Sequence, residues 1–156
     1  MTESLDGKEI IKTYQELPIW TGAKILDTYG SKTILDYKGQ PLFAELYALR
    51  SFKEIGYEGV WADTYRRKYR TELPEKNEAK IELPHFVQKQ LDEINPKGKL
   101  SGTWDLILWK SQEIRYVELK RRGKDAIRQT QIDFLNRALN YGVPINNFEI
   151  YEWKEK

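Results

Sequence analysis

The sequence predicts an α/β fold with a mixed central sheet flanked by helices. Apolar residues recur at helical spacing in several stretches, and shorter runs rich in β-branched and aromatic residues lie between them. Leaving aside a helix in an insertion, the order of elements from Pro41 onward is helix, strand, strand, strand, helix, strand. Strands interleaved with helices pack as a sheet with helices on its faces.

The composition is that of one domain whose chemistry does not depend on cysteine or on paired histidines. Of the 156 residues, 40% are hydrophobic and 13% aromatic, which is enough for an ordinary core. The chain has no cysteine, and His85 is its single histidine. These counts exclude thiolate metal sites, the usual zinc sites and serine–histidine triads. We expect His85 to be a surface or helix-start residue, so carboxylates, lysine, arginine and amides must carry any chemistry.

The N-terminal sequence has no apolar run of signal-peptide length, and no stretch of the chain approaches the length of a membrane span. We therefore expect a cytoplasmic protein without a membrane partner. Residues 1–38 are interpreted as an N-terminal accessory segment, with a short helix over about 7–15 and a hairpin. Residues 39–156 form the main domain, with a polar, proline-interrupted insertion at about 66–101.

The apolar periodicity and the positions of proline and glycine give the bounds of the predicted elements. The first core helix starts at Pro41 and ends at Gly56, the residue types that favour a first helical turn and a C-terminal cap. Its apolar stripe comprises Leu42, Leu46, Leu49 and Phe52. The other predicted elements are a strand over 59–65, a helix over 84–95, strands over 104–109 and 114–121, a helix over 125–141 and a strand over 148–153.

Two acidic residues are predicted to face each other across the middle strands. If the link between these strands is symmetric about Ser111 and Gln112, Asp105 stands opposite Glu118, and Lys120 points to the same face as Glu118. Opposed carboxylates in buried strands either raise a pKa or hold a cation. Without cysteine, the expected ion is Mg²⁺ or Mn²⁺. The alternative is an ordinary exposed Glu-x-Lys ion pair. If the strand register slipped by one residue, Asp105 would no longer stand opposite Glu118.

Two further residues are candidates for the same site. Gln131 interrupts the apolar stripe of the following helix, so its amide must be bonded either to a backbone group or to the acidic site. Glu45 edges the stripe of the first helix and is either a third carboxylate or merely solvated.

The basic residues are unevenly distributed. One cluster contains Arg66, Arg67, Lys68 and Arg70, and the other contains Lys120, Arg121, Arg122, Lys124 and Arg128. Such clusters are compatible with a polyanionic partner such as DNA, or with two solvated faces.

These motifs, taken in order, resemble the PD-(D/E)XK nuclease superfamily, and most closely its virus-type replication-repair nuclease (VRR-Nuc) family. The resemblance covers about residues 41–153. It rests on Glu45, on the segment Gly102-Thr-Trp-Asp105, on Glu118-Leu-Lys120, and on Gln131 followed by Phe134. Trp104 departs from the proline that many relatives have before the aspartate.

The resemblance implies a restriction-endonuclease-like core and a metal-dependent deoxyribonuclease. Asp105 and Glu118 would bind Mg²⁺ or Mn²⁺, assisted by the backbone carbonyl of Leu119 and by Glu45. Lys120 would orient the attacking water, and Gln131 would support the site. The expected DNA-binding residues are Arg66, Arg67, Lys68, Arg121, Arg122, Lys124 and Arg128.

The biological roles implied are DNA repair, recombination or phage biology, with structured or branched DNA as substrate and a homodimer as a further expected assembly. The alternatives are a catalytically silent nucleic-acid-binding module of the same fold and a structural or protein-interaction domain.

Overall fold

Seven strands form one mixed sheet at the centre of the protein, in a computed structural model that describes all 156 residues. The elements in chain order are β1 (Thr2–Leu5), β2 (Lys8–Leu17), β3 (Leu35–Tyr37), β4 (Gln40–Leu42), α1 (Ala44–Glu54), β5 (Glu58–Asp63), β6 (Lys68–Arg70), α2 (His85–Ile94), β7 (Leu106–Lys110), β8 (Glu113–Arg121), α3 (Gln129–Tyr141) and β9 (Phe148–Glu155). The sheet order is β1-β2-β9-β8-β7-β5-β6, and β3 and β4 form a separate hairpin. Strand β9 is parallel to both of its neighbours, and the other pairs are antiparallel. The predicted α/β class with a mixed sheet is confirmed.

The two faces of the sheet have separate hydrophobic cores. One core contains the buried apolar residues of α2 and α3, and the other contains those of α1. Successive residues of β8 alternate between them, with Tyr116 in the first core and Val117 in the second. Each core therefore carries the helices that flank one face.

The N-terminal segment contributes to the central sheet. Strands β1 and β2 form a hairpin whose turn residues, Asp6 and Gly7, both have positive φ. The predicted helix over about 7–15 is wrong, because β2 occupies these residues and pairs in parallel with β9. The pairing places Ile10 in the same core as Ile150, a position that no local spacing of residues 8–17 specifies.

The bounds of two helices differ from the prediction. Helix α1 begins at Ala44 and not at Pro41, because Pro41 lies in β4 and pairs with Asp36. Helix α3 begins at Gln129 and not at 125, since Arg128 is still extended and Asp125 closes a turn by accepting a hydrogen bond from the Arg121 amide at 2.9 Å. Leu46 and Leu49 of the predicted stripe are buried in α1, whereas Leu42 is buried from β4, and α3 buries Phe134 and Ala138 beside Gln131.

The predicted register of the middle hairpin is confirmed. Strands β7 and β8 pair Leu106 with Val117, which is the register of a link symmetric about Ser111 and Gln112. Both link residues have positive φ, as a tight hairpin turn with matching twist requires. Strand β7 begins at Leu106 rather than at 104, so Asp105 lies directly before the strand.

The stretch 66–101 contains more structure than predicted. Strand β6 pairs with β5 at the edge of the sheet, in a stretch for which the sequence pattern predicts no strand. Helix α2 begins at His85, which is exposed as expected, and buries Val87, Leu91 and Ile94. The longest helix, α3, has 13 residues, and none of the helices combines the length and the apolar character that crossing a membrane requires.

Candidate active site

Asp105 and Glu118 meet where β7 begins and are linked by reciprocal hydrogen bonds. The Asp105 amide donates to Glu118 Oε1 at 3.0 Å, and the Leu119 amide donates to Asp105 Oδ2 at 3.0 Å. Each carboxylate thus bonds backbone of the opposite segment, which fixes both side chains in position. We call these two residues the acid pair.

Gln131, in α3, provides a further hydrogen bond to the acid pair. Its Nε2 donates to Glu118 Oε2, and its Oε1 accepts a hydrogen bond from the Arg128 amide at 2.7 Å. Both alternatives raised for this buried amide therefore hold, because it bonds a backbone group and the acidic site together. The second contact also satisfies an amide at the start of α3 that would otherwise lack a partner.

The segment before Asp105 is packed tightly against the start of α3. Gly102 has φ +82°, and a Cβ at this position would lie 2.4 Å from the carbonyl oxygen of Thr130. Only glycine accommodates both the backbone conformation and this approach. Trp104 is fully buried and donates from Nε1 to the Gln131 carbonyl at 3.0 Å. These contacts hold the acid pair against α3.

Burial and repulsion by neighbouring carboxylates disfavour the ionised forms of both acids. Burial, followed by the repulsion from Glu45, raises the pKa of Asp105 to about 7. Burial and the neighbouring Asp105 raise the pKa of Glu118 well above its ordinary value. The cations Lys32 and Arg128 act against the shift at Asp105 without cancelling it. Such pKa shifts by desolvation and like charge are frequent at functional sites.

A cavity of about 410 Å³ opens beside the acid pair. Asp105 and Gln131 line it, and Glu118 does not. The charged residues that complete the lining are Lys32, Glu45, Lys124, Asp125 and Arg128. A larger cavity of about 620 Å³ is enclosed by residues 67–81 alone and contains none of the predicted acidic residues.

Glu45 reaches this cavity from α1 and is buried, with 8% of its surface exposed. It is therefore not merely solvated. Lys32 Nζ donates to its two carboxylate oxygens at 2.9 and 2.6 Å. No pattern in the sequence indicates Lys32, because a lysine in an irregular loop belongs to no periodic pattern.

Lys120 is bound away from the cavity. Its ammonium donates to Glu3 Oε1 at 2.9 Å, and Glu3 also accepts from Lys12 at 3.0 Å. Lys12 lies 3.2 Å from Glu152, which in turn accepts from Arg122. We call these five residues the charge network. It joins the N-terminal hairpin to β8 and β9.

Most of the predicted DNA-binding residues have acidic partners. Arg66 pairs with Asp27 at 2.7 Å and Lys68 with Glu78 at 2.8 Å. Arg121 and Arg122 pair with Glu155 and Glu152, respectively. Arg67, Lys124 and Arg128 have no ion pair. Lys124 and Arg128 line the cavity, so they bring positive charge that no ion pair engages to a cavity that also contains carboxylates.

The residues at the cavity are compatible with Mg²⁺ or Mn²⁺, although they do not form a closed cage. No group of three or more acidic or histidine side chains is arranged to hold a metal ion. Glu45 and Asp105 nevertheless line one cavity, and Leu119 lies beside them. Mg²⁺ usually retains several waters and needs only one or two carboxylates together with substrate phosphates. Glu45 already binds a cationic group, the Lys32 ammonium, which supports a cation position at this carboxylate.

Comparison of the chain with family models, curated proteins and solved structures gave no match.

Proposed function

We propose that this protein is a divalent-metal-dependent nuclease of the PD-(D/E)XK type, with a restriction-endonuclease-like core, that hydrolyses DNA phosphodiester bonds. The observation that carries the proposal is the acid pair. Asp105 and Glu118 have raised pKa values, and Asp105 opens into a cavity that also contains unpaired cationic side chains. A protein that holds like charges together at a cavity has the electrostatics of a cation site.

Each residue has a role that its contacts support. Glu45, Asp105 and the Leu119 carbonyl would hold Mg²⁺ or Mn²⁺. Glu118, which was also expected to be a ligand, does not line the cavity and accepts hydrogen bonds at both carboxylate oxygens, so it would instead orient Asp105 through the amide contact at 3.0 Å. The bound ion would neutralise phosphate charge and lower the pKa of a water nucleophile. Gln131 keeps Glu118 in position from the far side.

Two cations are suited to the scissile phosphate. Lys124 and Arg128 line the cavity without acidic partners and would bind the phosphate oxygens. The role implied for Lys120 requires its ammonium to leave Glu3. Because these contacts are to the backbone of DNA, we expect strong salt dependence and little sequence preference, with structured or branched DNA from repair, recombination or phage replication as substrate.

A catalytically silent nucleic-acid-binding module is the second candidate. It is favoured by the ion pairs that engage Lys120 with Glu3 and Glu45 with Lys32, since both residues would have to be released for catalysis. This candidate predicts salt-sensitive DNA binding without hydrolysis.

The test is cleavage of labelled linear, nicked and branched DNA with Mg²⁺, with Mn²⁺ or with EDTA. We expect metal-dependent hydrolysis, and a loss of about 10²-fold or more in Asp105→Asn, because several kcal/mol of charge stabilisation depend on the ion. Glu149→Gln is the matched control, since Glu149 is a buried glutamate bonded to Thr13 and Arg115. DNA binding without hydrolysis in the wild-type protein would instead establish the silent module.

A further inference from the structure

Lys32 occupies an unusual position for a loop lysine. It belongs to the irregular connection between β2 and β3, and its side chain enters the cavity that contains Asp105. Its ammonium contacts both oxygens of the Glu45 carboxylate, at 2.9 and 2.6 Å. Such paired, charge-assisted contacts are among the stronger hydrogen bonds in proteins.

Several groups hold Lys32 at this place. Its ammonium lies 5.5 Å from the ring centre of Phe43 and 5.6 Å from that of Trp61, both within the range of a cation–π contact. Its backbone amide donates to the Thr28 carbonyl at 2.7 Å, which closes a turn of the loop. The position is therefore specified by the surrounding chain.

Lys32 differs from the other lysine of the same cavity. Lys124 lines the cavity without an acidic partner, whereas Lys32 uses both oxygens of Glu45. A divalent ion that binds Glu45 needs at least one of these oxygens, so the ammonium and the ion compete for the same carboxylate.

We propose that Lys32 is a built-in counter-ion that occupies the cation position at Glu45 in the metal-free protein, and that a divalent ion must displace it. Lys32 then sets the metal affinity of the site. It keeps the Glu45 carboxylate compensated when no ion is present and makes binding of Mg²⁺ or Mn²⁺ weaker than the carboxylates alone would allow. The proposal rests on the proposed metal site, but it does not require DNA hydrolysis.

The experiment is calorimetric titration of Mn²⁺, without DNA, into the wild type, Lys32→Met and Lys124→Met. Removal of a competing contact should tighten Mn²⁺ binding by about tenfold in Lys32→Met. Lys124→Met removes the same formal charge from the same cavity without freeing a carboxylate, so its gain should stay within about threefold. Far-UV circular dichroism and urea unfolding verify that each variant is folded.

The Glu45→Gln background provides a second test of the competition, which does not depend on the stability of Lys32→Met alone. In this background the Lys32 substitution should no longer tighten Mn²⁺ binding, because the contested carboxylate is gone. Equal gains in Lys32→Met and Lys124→Met, an unchanged or weaker affinity in Lys32→Met, or no Mn²⁺ binding by the wild type and Lys32→Met would each overturn the proposal. Tighter Mn²⁺ binding by a protein that does not cleave DNA would uphold it while rejecting the nuclease.

Discussion

The acid pair and the charge network both contain carboxylates at the central sheet. The pKa values of these carboxylates are shifted in opposite directions in the two regions. Burial and repulsion raise the pKa values of Asp105 and Glu118. Burial also opposes ionisation of Glu3 and Glu152, but hydrogen bonds from lysine and arginine hold both of their pKa values below the ordinary range. The acids of the network are compensated by the protein, and those of the pair are not.

The difference in pKa shifts between the two regions indicates which charged residues stabilise the fold. Lys12 and Lys120 complete an alternating chain of charges that fastens the N-terminal hairpin to β8. The acid pair has backbone amides and Gln131 as its direct hydrogen-bond partners. A buried charge without a counter-ion costs stability, so its retention favours a role that requires it.

The largest stability effect is expected where the acid pair is fastened to α3. Gly102→Ala should reduce the free energy of unfolding by about 3 kcal/mol, because the new Cβ meets the Thr130 carbonyl and the backbone has positive φ. Urea unfolding followed by circular dichroism measures the change. Asp105 and Gln131 would also separate, so the variant should lose metal-linked stabilisation.

Gly98→Ala is the matched control for this variant. Gly98 also has positive φ, but a Cβ there meets nothing within 4 Å. We expect a loss of about 1 kcal/mol from backbone strain alone. Equal losses at the two glycines would show that close approach to α3 does not matter for the acid pair.

The acid pair could be predicted from sequence because its geometry is local. The short link between β7 and β8 fixes the register, and alternation along the strands then brings Asp105 to Glu118. Helical spacing likewise identified Gln131 as a buried amide among apolar neighbours. The elements found correctly are those whose partners lie nearby in sequence or whose apolar pattern is strongly periodic.

The charge network and Lys32 could not be predicted, because they depend on distant pairing. Lys120 contacts Glu3 only because β2 adds to β9 and carries β1 with it. The same non-local pairing explains the wrong helix over 7–15, since residues 8–17 fit either element until the partner strand is known. Lys32 lies in a loop, where neither spacing nor amphipathicity specifies a position.

Opposite pKa shifts imply opposite pH dependence. The pKa of Asp105 is raised from 3.8 to about 7, so its contribution to stability is present below pH 4 and is lost as the pH rises through about 7. The metal-free protein should therefore lose on the order of 2 kcal/mol of unfolding free energy between pH 5 and 8. Lys32 and Arg128 face this carboxylate as cations, Glu45 repels it, and Glu118 lies beside it as a second acid with a raised pKa.

Unfolding of the metal-free protein in urea at several pH values measures this dependence. Asp105→Asn should reduce the slope, because the substituted side chain does not titrate. Saturating Mn²⁺ should also reduce it, by favouring the ionised carboxylate. If the unfolding free energy of Asp105→Asn depends on pH as strongly as that of the wild type, other groups cause the dependence. The acid pair would then not differ from the charge network in this respect.

The smallest effect is expected in the charge network. Glu3→Gln removes the charge that pairs with Lys12 and Lys120 and should cost about 1 kcal/mol at pH 7, since these side chains are only partly buried. The lowered pKa of Glu3 means that this contribution is present above about pH 4.5 and is lost as the pH falls. Glu16→Gln, at an exposed position of β2 without an ion pair, should cost much less. If Glu3→Gln also releases Lys120 for catalysis, the cleavage rate should rise while stability falls, whereas a parallel loss of both would mean that Glu3 positions Lys120.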